Sequence, residues 1–136
     1  MFGVAAVTNA FLPSLRCSAH PRIVNISSGT GSLTWSTAAN PQFDFRAASR
    51  GAGAAYRSSK TALNALAVSY AQALADDGIK VNALAPGLRA TNLNPKAIAA
   101  GGDPSEAAAA AIRLALLPDN GPTAQLFSWD GTVAPW

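Results

Sequence analysis

The sequence is poor in reactive side chains: it has one cysteine, Cys17, and one histidine, His20. A lone cysteine cannot close a disulfide within the chain, and beside Leu15 it reads as a small core or boundary residue rather than a nucleophile. No metal site is expected. Hydrolase chemistry is poorly supported because there is no Gly-x-Ser-x-Gly elbow, and His20, next to Pro21, should sit at the opposite end of a strand from Ser28. Long apolar runs are also missing. None reaches the ~18 residues of a membrane span, and the N-terminus through Leu12 lacks the basic lead and small-residue cleavage site of a secretory signal. A cytoplasmic address with no membrane partner is the default expectation. The glycine-rich dinucleotide fingerprint is absent as well. Gly29-Thr30-Gly31 has no third glycine in register and opens no helix, and Gly51-Ala52-Gly53 runs into Tyr56.

What is present belongs to a chain that buries a core. At 136 residues, 49% hydrophobic and 12% charged, it is one domain or part of one. Ten Lys and Arg against seven Asp and Glu give a net charge of +3. These residues are scattered without a run or a helical stripe, so the charge reads as a solvated surface and no nucleic-acid partner is expected.

Residues 2–16 read as a helix with an apolar face from Phe2 to Leu15, and Pro13 marks a bend or last turn. RIVNISS (22–28) is a short buried strand of the parallel-sheet type, cut off by Gly29 and Gly31. Residues 32–53 are polar, aromatic and glycine-rich, and read as a surface loop. Its Trp35, Phe43 and Phe45 suggest either a substrate wall or surface packing. A long helix is expected over 54–77, with Ala62, Ala65, Leu66, Ser69, Ala73 and Leu74 as a small-residue stripe and Gly78 closing it in a left-handed conformation. IKVNALA (79–85) is the next strand, ended by Pro86-Gly87. Asp103-Pro104-Ser105-Glu106 supplies an N-cap, a first-turn proline and a capping-box Glu for a helix to Leu117. Gln125 to Trp129 is a last strand. Helices alternating with strands, and no hairpin signal between strands, imply a parallel sheet covered on both faces, although three strands are few for that architecture.

Tyr56 and Lys60, four residues apart near the start of the long helix, project from one face about one turn apart. Alone, such a pair is ordinary packing with a snorkelling lysine. Its neighbours change that reading, because RIVNISS and VNALAPG are strands whose ends carry small or turn residues, and in an open parallel sheet ligands bind at such carboxyl ends. A free phenol titrates near pH 10, so moving one toward 7 takes ~4 kcal/mol. An ammonium about 4 Å away, at an effective dielectric of about 20, can supply ~4 kcal/mol. A tyrosine so tuned can exchange a proton with a carbonyl or alcohol oxygen. A serine hydroxyl can donate to the same oxygen, although a strand-end serine also commonly makes a local turn bond.

The ordered set IVNISS, YRSSK and VNALAPGLRAT resembles the short-chain dehydrogenase/reductase family, and most of all members that reduce small carbonyl compounds with NADPH. The resemblance runs from Met1 to the C-terminal tail. It implies an α/β, Rossmann-like doubly wound parallel sheet, of which residues 1–136 would be the C-terminal catalytic part with roughly the last three strands. It also implies Tyr56 as the catalytic acid/base, Lys60 as its tuner and ribose holder, and Ser28 as the catalytic serine with Ser27 as fallback. Pro86 and Gly87, then Leu88, fall where the family passes the nicotinamide, and Thr91 where it meets the carboxamide. The implied cofactor is NADP(H) in preference to NAD(H), the partner a small carbonyl or alcohol, and the assembly a homo-oligomer. The family's glycine-rich cofactor half has no counterpart here, and Gly3 places the family's catalytic asparagine just before Met1, for which Asn9 is no substitute. Met1 could thus be an internal methionine, a misplaced start or the start of a truncated gene. The spacing from Ser28 to Tyr56 also exceeds the family's. Two readings follow: an oxidoreductase acting through Ser28, Tyr56 and Lys60, or a non-catalytic remnant that retains only helix-mediated association.

Overall fold

The β-branched run of Arg22–Ile26 forms strand β1, and Lys80–Ala85 forms β2 beside it in parallel, with Arg22 opposite Lys80 and Ile26 opposite Leu84. Leu126–Ser128 is β3, parallel to β2 with Ala83 opposite Leu126. The computed structural model describes residues 1–38, 53–93 and 95–136. Phe43 and Phe45, in the loop read as a possible substrate wall, lie outside them.

Before β1 comes helix α1 (Phe2–Arg16). After β1 a 3-10 turn (Gly29–Gly31) leads into α2 (Leu33–Thr37), and α3 (Ala54–Ala73) carries the chain to β2. Helices α4 (Pro95–Ala100) and α5 (Pro104–Ala115) link β2 to β3. The alternation along β2 sends Val81, Ala83 and Ala85 into one core with Ala67 and Ala71 of α3, while Leu84 meets Ala110 and Leu114 of α5 on the other face. Both faces of the parallel strands are thereby covered, as parallel sheets require. The buried Asn82 steers the chain into β3: its amide donates to Pro122 O and accepts from Gln125 N. No described helix is long and apolar enough to cross a membrane.

Several expectations change. A fourth strand, β4 (Val133–Ala134), pairs antiparallel to β3. Its turn is tied by Ser128 N to Thr132 O at 2.8 Å and by Thr132 N to the Asp130 carboxylate, with Gly131 at φ +90°. Asp130-Gly131 is thus a hairpin signal, masked because the returning strand has only two residues. Ser32 caps α2 by accepting from Trp35 N, so part of the presumed loop is helical. Trp35 itself is buried in the core and is neither a substrate wall nor surface packing. The buried face of α3 is Leu63, Asn64, Ala67 and Ala71, continued by Leu74 just past its end, whereas Ala65, Ser69 and Ala73 of the anticipated stripe are exposed. Two small-residue stripes run along that helix, and composition does not separate them. Cys17 is exposed. Asp103 does cap α5 through Ser105 N, a bond that, with a second from the Ser105 side chain, holds its carboxyl below the usual range. Glu106 turns instead to Arg89, so the reciprocal half of the capping box is not made. Helix α3 ends at Ala73 with Leu74 as its C-cap, short of the expected 77, and Gly78, at φ +67°, closes the turn that follows instead, its N–H donating to Ala75 O at 3.0 Å.

At the amino end of the parallel strands, the nearly enclosed Arg22 binds Asp119 at 2.6 Å and Leu117 O at 2.9 Å. Bonding first to Arg22 and then to His20 lowers the Asp119 carboxyl pKa. His20 is therefore a surface hydrogen-bond partner of Asp119 at the end of β1 away from Ser28.

Candidate active site

The carboxyl ends of β1 and β2 lie side by side in the ladder, and every residue singled out from the motifs lies on the segments that leave them or in the first turns of α3. Ser28 follows β1, Tyr56 and Lys60 occupy the start of α3, and Pro86, Gly87 and Leu88 follow β2, with Thr91 three residues on. The Lys60 ammonium reaches across to the last carbonyl of β1, donating to Ile26 O at 2.8 Å. Its nitrogen is 5.7 Å from the centre of the Tyr56 ring. Desolvation by burial lowers the Lys60 pKa. An ammonium has three N–H donors, and the other two of Lys60 have no protein partner among the described residues. Tyr56 is half exposed.

The two serines have different surroundings. Ser27 is buried, and its hydroxyl donates to Asn64 Oδ1 and faces Lys60 O at 3.4 Å. Ser28 is only part-buried. Its oxygen caps the following turn, accepting from Thr30 N at 3.2 Å, and it shares a hydroxyl pair with Thr30 at 2.9 Å. When Thr30 is the donor in that pair, the Ser28 proton remains available to an incoming oxygen. A local turn bond and a substrate bond are thus compatible at Ser28, while Ser27 is committed to α3.

Sequence reasoning missed the residues that hold these parts together. A Cβ on Gly31 would stand 2.8 Å from the Lys60 carbonyl carbon and 2.9 Å from its Cβ. Thr61 Oγ1 donates to Gly31 O at 2.9 Å. The loop carrying Ser28 is therefore seated directly on the helix turn that carries Lys60, an approach only glycine allows. Gly31→Ala pushes against backbone, so we expect a loss of about 1–3 kcal/mol, read as a lower midpoint in chemical denaturation. An unchanged midpoint would show that the contact relaxes freely. Gly87, at φ +71°, packs on Trp129. Leu88 is exposed. Thr91 N is bonded to Arg89 O at 2.8 Å, and the Thr91 hydroxyl is exposed near Leu93 N.

The geometry has counterparts. Residues 47–100 match the family model for short chain dehydrogenases. The chain is 34% identical to salutaridine reductase of Papaver bracteatum, over 90% of this chain and 47% of that protein. NADPH-bound carbonyl reductase from chicken fatty liver superposes with a TM-score of 0.70 at 27% identity, covering 95% of this chain and 51% of that one. The Pseudomonas aeruginosa RhlG/NADP active-site complex gives 0.71 at 28%, covering 94% and 54%. The chain thus spans about half the length of the relatives it matches. With the ordered motifs, the sheet and these likenesses taken together, the chain belongs to the short-chain dehydrogenase family.

Proposed function

We propose that this chain is the catalytic half of an NADP(H)-dependent reductase of small carbonyl compounds, also able to run as an alcohol dehydrogenase, with Tyr56, Lys60 and Ser28 as its catalytic residues. The observation that carries the reading is the Lys60 ammonium, bonded to Ile26 O and 5.7 Å from the Tyr56 ring. It stands at the carboxyl end of two parallel strands, where a ligand in such a sheet is expected. The residues present suit a nicotinamide cofactor. Lys60 has two N–H donors for ribose hydroxyls, and the Pro86–Gly87 turn and exposed Leu88 offer backbone and an apolar surface to a flat ring. The bound cofactor supplies the hydride. Tyr56 gives its hydroxyl proton to the carbonyl oxygen, or takes one from an alcohol in reverse, with the positive charge of Lys60 favouring the phenolate. Ser28, rather than the committed Ser27, donates a hydrogen bond to that oxygen and holds it.

NADP(H) rather than NAD(H) is supported by the two NADP-bound likenesses. The residues that grip most of the cofactor would lie in a preceding glycine-rich half, which would also pair with the open edge of β1 and cover apolar side chains such as Phe2 and Phe11 of α1, both exposed here. A cytoplasmic homo-oligomer fits the same reading.

The test is a pair of titrations. Joined to such a half, the protein should bind NADPH at micromolar concentration and oxidise it when given a small ketone or aldehyde. As the 136-residue chain it should bind no tighter than about millimolar, since only a small part of the cofactor is held. Micromolar binding by the chain alone would refute the division of labour, and absence of turnover in the joined form across a carbonyl panel would refute the function.

A further inference from the structure

Arg89 takes no part in the chemistry above, yet just past the end of β2 its guanidinium is engaged by a carbonyl, a carboxylate and an aromatic ring. Its side chain is 10% exposed. Nε donates to Pro86 O at 2.6 Å, Nη1 donates to the Glu106 carboxylate at 2.6 Å, and the group lies 4.1 Å over the Trp129 ring. Two glycine backbones rest against it. A Cβ on Gly87 would come 3.1 Å from Nη2 and 2.8 Å from Trp129 Cδ1, and one on Gly102 would come 2.8 Å from Nη1 and collide with Leu88 O. Ala90 N donates to Gly102 O at 2.7 Å, which closes the neck of the segment between them.

We infer that Arg89 is a positioning residue that fixes the Pro86–Gly87 turn, and with it the nicotinamide end of the bound cofactor. This rests on the reading that the turn flanks the nicotinamide. In a trans peptide the carbonyl and the following N–H point in opposite directions. Holding Pro86 O toward Nε therefore aims Gly87 N–H away from Arg89, and Trp129 bars the peptide from rocking back. The planar fork makes this possible, because one rigid group meets a carbonyl, a carboxylate and an aromatic face at once, which an ammonium cannot do. The cation is enclosed, so Glu106 is needed to balance it. Trp129 sits in the β3–β4 turn and Glu106 in the first turn of α5, so Arg89 ties the cofactor-facing turn to two elements outside the reacting residues.

The experiment uses the protein joined to a cofactor-binding half, as in the titrations above, with Arg89→Met, Arg89→Lys and Glu106→Gln compared by steady-state kinetics and by amide exchange of Gly87 to Ala90. Arg89→Met should raise KM for NADPH by at least about tenfold with kcat changed less than about threefold, the split expected when binding is lost rather than transition-state contact. It should also speed exchange at the turn. Arg89→Lys should recover only part of the KM, since it restores charge but not the fork. If Arg89→Met does not fold, Glu106→Gln, which leaves the arginine in place, should still raise KM for NADPH at least about threefold. Cofactor KM within twofold of the parent in a folded variant would overturn the inference, as would a loss confined to kcat. Exchange needs no turnover, so a turn that stays protected in Arg89→Met refutes the pinning even if the reductase reading fails. Faster exchange with an unmoved KM refutes this inference and leaves that reading standing.

Discussion

Replacing Tyr56 with Phe in a form that carries the cofactor-binding half is expected to lower kcat by about 10²- to 10⁴-fold, the range for a lost general acid, or about 2.7–5.4 kcal/mol of barrier. The substitution deletes one oxygen. Tyr56 is half exposed on the first turns of α3, and its hydroxyl makes no hydrogen bond with a described residue, so the fold loses nothing that the thermal midpoint would register. KM for the carbonyl should move little. Tyr70, on the same helix, is the control: its hydroxyl donates to Asn9 Oδ1 at 2.7 Å and also faces Ala5 O at 3.4 Å, joining α3 to α1. Tyr70→Phe should cost about 1 kcal/mol of stability and leave turnover as it was. Near-normal turnover in Tyr56→Phe, with the melting curve unchanged, would remove the tyrosine from the mechanism.

The contrast between these tyrosines shows what a sequence can convey about such a site. The Tyr-x-x-x-Lys spacing places both side chains on one helix face whatever that helix packs against, and the RIVNISS and VNALAPG strands each end at the same edge of a parallel sheet. Local rules carry that far: the Asp103 cap and the bounds of α1 match the structure. What was not legible depends on pairs distant along the chain. Gly31 looked like a failed fingerprint because its reason for being glycine is Lys60, on another element. Glu106 fits a capping box by spacing, but the charge-assisted bond to an enclosed arginine outcompetes a local bond to its own helix end. Trp35 sits among polar and small residues and reads as a loop aromatic, yet burying its ring in the main core is what gives so short a helix as α2 a fixed place. The preference for Ser28 over the fallback Ser27 likewise rests in the sequence on resemblance alone, since the bond that commits Ser27 depends on the position of Asn64.

Lys60→Met should have the second large effect, and stability is not its route. Burial lowers the Lys60 pKa, so where the two states differ the folded protein binds fewer protons than the unfolded chain. Stability attributable to this group therefore rises as pH climbs toward the ordinary lysine range, and at neutral pH its charge opposes folding. Methionine keeps the stem, removes the desolvated charge and forfeits the bond to Ile26 O, so the midpoint at pH 7 should stay within a few degrees of the parent. Function should respond very differently. KM for NADPH should rise at least about tenfold, the worth of one charge-assisted bond to the ribose. The pH profile of alcohol oxidation should move upward, because the phenolate loses its nearby cation. Lys60→Arg, which retains the charge, should leave the profile near that of the parent even if cofactor binding suffers. A Lys60→Met profile that does not move, in a protein that still turns over, would mean that the ammonium holds the ribose and does not tune the tyrosine.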